Sequence, residues 1–208
     1  MTRGTVLRAF ELGLFAGGAA LAAYCAIVLI GIERTRQMPV PPPPLTITQS
    51  LPAEAAPAPP PTPGTWIGRL EVPSVQMVAT VLEGSDEATL RRAAGHLEDT
   101  PLPGQPGNIG IAGHRDTIFR PLRGVQVGDP LDLTTRDHVY HFRVAATKIV
   151  EPDEVSVLDP TSEPTLTLVT CYPFTFIGHA PRRFIVQARL VNEELRIAQA
   201  STPTSPRP

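Results

Sequence analysis

Cysteine is nearly missing from this 208-residue chain, which has only Cys25 and Cys171. Two cysteines exclude a disulfide scaffold and any zinc centre built on cysteine pairs. Charge is sparse too, at 18% of residues with a net of −2, and no stretch gathers lysine or arginine into a block. An electrostatic footprint for nucleic acid is therefore absent. No segment repeats at a fixed period, which argues against a propeller or a solenoid. The acidic residues Glu98, Asp99, Glu151, Asp153 and Glu154 are scattered enough to be solvated, so no metal or other cofactor is expected.

Proline is what the chain has in excess. Of 25 prolines, eleven lie in 39–63 and three in the last six residues. The excess is segmental, and an ordinary domain remains once those segments are set aside. Residues 37–64 cannot build a core, because proline removes backbone donors and the apolar content is mostly alanine and proline. Proline runs favour an extended path of about 3.1 Å per residue, so the segment reads as a tether. The tail after Gln199 has the same character.

Residues 12–32, LGLFAGGAALAAYCAIVLIGI, are uncharged and largely apolar. As a helix they reach about 31 Å, the thickness of a bilayer's hydrocarbon core. A cleaved signal peptide would have a shorter apolar region and a small-residue cleavage site. Here the run ends in Glu33-Arg34-Thr35-Arg36, and Tyr24 before Cys25 does not suit a lipoprotein signal. A retained anchor is expected. Arg3 and Arg8 stand against Arg34 and Arg36, so basic residues barely decide the orientation.

The remaining span reads as mostly strand. WIGRLEV, VQMVATVLEG, NIGIAGH, DPLDLTT, HVYHFRVAATKIV, TLTLVTC and RRFIVQARLV are short, rich in β-branched residues and punctuated by Gly, Pro and Asp. Short helices are expected at 88–99 and 117–124. Seven or more strands at this spacing suggest a closed barrel or a sandwich.

Cys171 ends the TLTLVT strand just before Tyr172-Pro173. A lone cysteine is commonly an inert, buried, small hydrophobe. A strand terminus, however, can face a cleft, and an unpaired thiol on an exported domain is an oxidation liability. Nucleophilic use is the simplest reason for its presence. A cysteine nucleophile needs a base or a cation nearby. His138 and His141 sit in a hairpin and decorate a sheet face, while His96 reads as a surface helix residue. His114, at the end of NIGIAG, and His179, in the loop after Cys171, both remain candidates for the base. Gly113 before His114 allows a close approach. Arg182 and Arg183 stand side by side, and successive strand residues point to opposite faces, so one at most faces a cleft. A guanidinium there could hold an oxyanion or a substrate carbonyl. Asp116 either orients the imidazole or caps a helix beginning at Thr117.

IAGHRDTIF, then TLTLVTCYPF, then APRRFIV, in that order, resemble the sortase family, the membrane-anchored cysteine transpeptidases of bacterial cell envelopes. The resemblance covers roughly 66–192, and Thr-Cys-Tyr-Pro-Phe followed by Gly-His-Ala-Pro-Arg-Arg-Phe is most similar to the class D branch. It implies an eight-stranded β-barrel with one or two short helices behind an N-terminal transmembrane helix. Cys171 would be the nucleophile, His114 the proton-transfer group, Arg183 the ligand of substrate and oxyanion, and Thr170 a residue lining the site. Arg182 remains an adjacent second arginine. The implied organisation is a stub at 1–11, an anchor at 12–32, a linker at 33–64, a catalytic domain at 65–195 and a tail at 196–208. The implied reaction cleaves an LPxTG-like sorting signal on surface proteins, holds the acyl group as a thioester, and passes it to an amine of a peptidoglycan stem or a protein lysine. The catalytic domain would then lie outside the cell membrane, which the chain crosses once. A tethered thiol peptidase using water, and a non-catalytic envelope domain that binds a partner, are the alternatives.

Overall fold

In a computed structural model of the chain, residues 3–43, 60–175 and 178–196 are described. Two compact units result, Met1–Met38 and Pro39–Pro208. The first is one helix, α1 (Arg3–Arg36), which runs past the expected 12–32 at both ends. Within it Phe10–Thr35 contains an 18-residue window with a mean hydropathy of 2.2 and is long and apolar enough to cross a membrane. Its large apolar side chains, Phe15, Leu21 and Ile27 among them, are exposed on all sides. Most of the proline-rich linker (44–59) and the tail from 197 lie outside the described residues.

The second unit contains eight strands, β1 (Trp66–Val72), β2 (Met77–Glu83), β3 (Ala94–His96), β4 (Asn108–Ala112), β5 (Pro130–Thr134), β6 (His138–Val150), β7 (Thr165–Tyr172) and β8 (Arg182–Leu195). They close into a barrel in the order β1-β2-β3-β4-β7-β8-β6-β5, with β5 paired back onto β1. Closure leaves no free edge along the sheet. Alternation in the sequence sets the inner face. Leu70 and Val72 from β1, Ile109 and Ile111 from β4, Leu131 and Leu133 from β5, and Leu166 and Leu168 from β7 are almost fully buried. In β6 the same period puts Tyr140, Phe142 and Val144 inside.

Strand β7 is buried on both faces along most of its length. The outer cover is the connection from β6 to β7, which polar side chains pin in place. Thr167 donates to Asn108 Oδ1 at 2.7 Å, and Asn108 Nδ2 and Gln187 Nε2 both donate to the Val157 carbonyl. The buried amide and hydroxyl are thus satisfied, as burial requires.

The expected helices shrink. At 88–99 only α2 (Glu87–Leu90) forms, capped by Asp86, whose carboxylate accepts from the amides of Ala88 and Thr89. The chain then turns into β3, parallel to β2. The reason is tertiary. A Cβ at Gly95 would lie 2.2 Å from the Gly84 carbonyl oxygen, so the backbones are in contact and strand pairing overrides helical periodicity. At 117–124 there is only a 3₁₀ turn, Arg120–Gly124.

His96 is therefore not on a helix surface. It is 1% exposed in β3, with Nδ1 2.8 Å from Glu83 Oε2 and Nε2 3.1 Å from the Pro101 carbonyl oxygen.

Candidate active site

The direction of three strands builds the site. β4 and β7 run parallel in neighbouring positions, with Ala112 opposite Val169. Their carboxyl ends therefore leave the sheet at one edge. Two residues beyond that pair come His114 on one side and Cys171 on the other. β8 is antiparallel to β7, so its first residues arrive at the same edge, and Arg183 pairs with Cys171 while Arg182 pairs with Tyr172. Strand parity then separates the two arginines. Arg182, on the other face at the exposed strand end, has Nε 3.4 Å from Glu151 Oε1. Arg183 shares a cavity with the thiol.

That cavity has a volume of about 260 Å³. It is lined by His114, Arg115 and Asp116 after β4, by Cys171 and Arg183 on the strands, and by Gly178, His179 and Ala180 of the β7–β8 loop. Four of the five site residues expected from the sequence or the resemblance meet there, and so does His179. Thr170 does not line it. Its side chain faces inward at 3% exposure, and its hydroxyl donates to the Gly113 carbonyl at 2.7 Å. His138 and His141 are also elsewhere, on the β5–β6–β8 face, where His141 Nδ1 lies 2.7 Å from Asp132 Oδ1.

The segment carrying His114 is held closely to the barrel. The Gly113 amide donates to the Val169 carbonyl at 3.1 Å, extending the β4–β7 ladder by one bond. A Cβ on Gly113 would sit 2.7 Å from the ring of Phe119, which is fully buried. Only glycine lets the chain pass over that ring. The Phe119 amide closes back on the His114 carbonyl at 3.0 Å. Asp116 does not cap a helix at Thr117, since the 3₁₀ turn starts at Arg120 with Phe119 preceding it; instead Asp116 opens onto the cavity.

Arg183 reaches across the cavity wall. Its Nη1 donates to the carbonyls of Arg182 at 3.1 Å and Ala180 at 3.4 Å. A guanidinium placed this way beside the thiol is bonded to main-chain carbonyl oxygens, the same chemical group that a peptide substrate presents. Half-buried Tyr172, Phe174 and Phe184 pack together at the same end of the barrel, with ring centroids 5.3 to 6.4 Å apart. Among the described residues no group of three or more His, Cys, Asp or Glu side chains is arranged to hold a metal ion.

The sequence reading missed Arg115. Its Nη2 donates to the Gly178 carbonyl at 2.9 Å, joining the His114 segment to the β7–β8 loop. Nothing in the sequence sets it apart from other surface arginines, because its partner is a main-chain oxygen 63 residues away.

The sequence and the barrel are similar to those of known proteins. The Sortase domain family matches residues 70–191. Sortase D of Bacillus subtilis is 36% identical over 125 residues, covering 60% of this chain and 63% of that protein. Sortase A of Listeria monocytogenes is 33% identical over 132 residues, covering 62% of this chain and 58% of that protein. The chain thus spans less than two thirds of the length of these curated relatives. Among solved structures, a Clostridium perfringens sortase D5 transpeptidase superposes with a TM-score of 0.58 at 30% identity, covering 63% of this chain and 82% of that one. Sortase E1 from Streptomyces coelicolor, solved with a tripeptide in its active site, gives 0.58 at 30% identity over 64% of this chain and 92% of that one.

Proposed function

The chain belongs to the sortase family, and from that premise we propose that it is a membrane-anchored cysteine transpeptidase of the class D kind. The observation that carries the reading is the pairing of Cys171 with Arg183 across two strands, with His114 at the matching end of the third.

The first half-reaction follows from these positions. Cys171 passes its thiol proton to His114, and its sulfur attacks the scissile carbonyl of an LPxTG-like sorting signal, after the threonine. The carbonyl oxygen becomes an anion, and Arg183 exchanges its loop carbonyls for it. Donors preorganised at a developing charge are the largest single contribution to many acyl transfers. His114 gives a proton to the departing amine, leaving the acyl group on sulfur as a thioester. In the second half-reaction an amine enters, His114 takes its proton, and a new amide replaces the thioester. Asp116 lines the same cavity as His114. Proton and acyl group both balance without a cofactor.

The organisation that goes with this reading is a short stub, a single span within α1, the proline-rich tether and an extracytoplasmic barrel. The length and composition of α1 support the span. Substrates would be surface proteins with a C-terminal sorting signal, and the acceptor a peptidoglycan stem amine or a protein lysine.

The test uses the full chain in detergent with an LPxTG or LPxTA peptide, with and without oligoglycine or a diamine. Transfer gives an amide product that rises with acceptor concentration and disappears in Cys171→Ala. Only the hydrolysed acid, whatever amine is supplied, would instead favour a tethered peptidase. A Cys171 that resists alkylation until the protein is denatured would favour a non-catalytic binding domain. His114→Ala should be nearly inactive and His179→Ala mildly affected; the reverse would reassign the base. Retention in the membrane fraction after a carbonate wash checks the anchor.

A further inference from the structure

We propose that Arg115 is a positioning residue that clamps the β7–β8 loop against the His114 segment and so fixes the wall of the groove that receives the substrate peptide. The inference rests on the acyl-transfer reading for the identity of what the groove receives, but the clamp itself does not.

Two independent features meet at one hydrogen bond. The Arg115 guanidinium donates from Nη2 to the Gly178 carbonyl at 2.9 Å, and both residues line the cavity that holds Cys171. Gly178 has φ +98°, a backbone state that L residues rarely adopt. A Cβ there would meet nothing within 4 Å, so space does not require the glycine. The conformation does, and it is the conformation in which the carbonyl faces Arg115. The far side of the same short loop is held by Arg183, through the Ala180 carbonyl. Once Arg183 releases Ala180 to take a substrate oxygen, Arg115 is what still fixes the loop. A loop held at Gly178 keeps His179 and Ala180 at a set distance from the thiol. Without the clamp the wall becomes mobile, the peptide loses a positioned contact surface, and binding suffers before chemistry does.

The experiment compares full-length protein, Arg115→Ala, Arg115→Lys and Gly178→Ala in detergent, each first shown to melt cooperatively. Amide hydrogen exchange is read at Gly178–Ala180, and peptide turnover is resolved into kcat and KM. Arg115→Ala should accelerate exchange in that loop and raise KM by about ten-fold, with kcat within about two-fold and an unchanged rate of Cys171 alkylation. Arg115→Lys should restore part of both, because an ammonium can still reach one carbonyl, and Gly178→Ala should follow Arg115→Ala. Unchanged exchange in Arg115→Ala, or a fall in kcat with KM unchanged, overturns the proposal. If the unaltered protein turns over no peptide, the acyl-transfer reading fails, and the exchange comparison alone then decides whether the clamp exists.

Discussion

Cys171 and Arg183 are directly opposite one another in the β7–β8 ladder, while their sequence neighbours Tyr172 and Arg182 form the next pair on the other face. Directly opposed side chains have Cβ atoms roughly 4.5–5.5 Å apart, within reach of a guanidinium and a group bound to the thiol. Register therefore puts Arg183, and not the adjacent Arg182, opposite the thiol.

The first prediction follows from that choice. Arg183→Ala should lower kcat/KM for peptide cleavage by two to three orders of magnitude, since loss of an oxyanion donor costs about 2.7–4 kcal/mol. Arg182→Ala removes only an exposed contact to Glu151, and exposed ion pairs contribute little. Its activity should stay near that of the unaltered protein. A crippled Arg182→Ala beside an active Arg183→Ala would mean that the register at the start of β8 is wrong.

Much of this was legible in the residues. Seven of the eight strands stand out as β-branched runs between Gly, Pro and Asp, because half-buried strands write their period into the sequence. Cys171 and His114 could be singled out because both end such runs. What stayed hidden depends on partners distant in sequence. β3 is three residues long and is fixed by backbone contact at Gly95 rather than by side-chain pattern. Thr170 was expected in the site on resemblance alone, and only the parity of β7 and the nearby Gly113 carbonyl turn it inward. Arg115 has no local mark, since its partner lies on another loop.

His96 supplies the second prediction. Its Nε2 faces the Pro101 carbonyl, which can only accept, so that nitrogen carries hydrogen; Nδ1 faces the Glu83 carboxyl. One further proton is shared across the Nδ1–carboxyl contact, and both side chains are almost wholly buried, at 2% and 5% exposure. Removing one partner of such a pair leaves a buried polar or charged group uncompensated and costs about 3–5 kcal/mol. His96→Ala and Glu83→Ala should each lower the melting temperature sharply. The double variant should lose less than the sum of the two. Additive losses would show that the pair is not energetically coupled.

Tyr140 carries the third. Burial, assisted by the neighbouring Glu193 carboxylate, raises its phenol from the usual 10 to about 12. Between those values the unfolded chain has lost the proton and the folded chain keeps it, so the folded state binds more protons and stability falls as pH rises. Melting temperature should decline from pH 10 to 12, and Tyr140→Phe should flatten that decline. An identical pH profile in Tyr140→Phe would assign the loss to other groups.

The last prediction concerns Thr170, which borders Cys171 in sequence without sharing its cavity. Its hydroxyl is buried and donates to the Gly113 carbonyl, one residue before His114. The bond ties the end of β7 to the segment just after β4, so it bears on the spacing between Cys171 and His114. Thr170→Val keeps the shape and removes the donor, leaving a buried carbonyl without that partner at a cost of about 1–3 kcal/mol. If Thr170 braces, both stability and kcat should fall while KM for the peptide changes little, because the imidazole rather than the groove is displaced. Thr170→Ser keeps the donor and should recover most of kcat. If Thr170 instead touched the substrate, Thr170→Val would raise KM at unchanged melting temperature. Measuring kcat, KM and melting temperature on both variants separates the two, and a normal kcat in Thr170→Val would remove Thr170 from any account of how His114 is held.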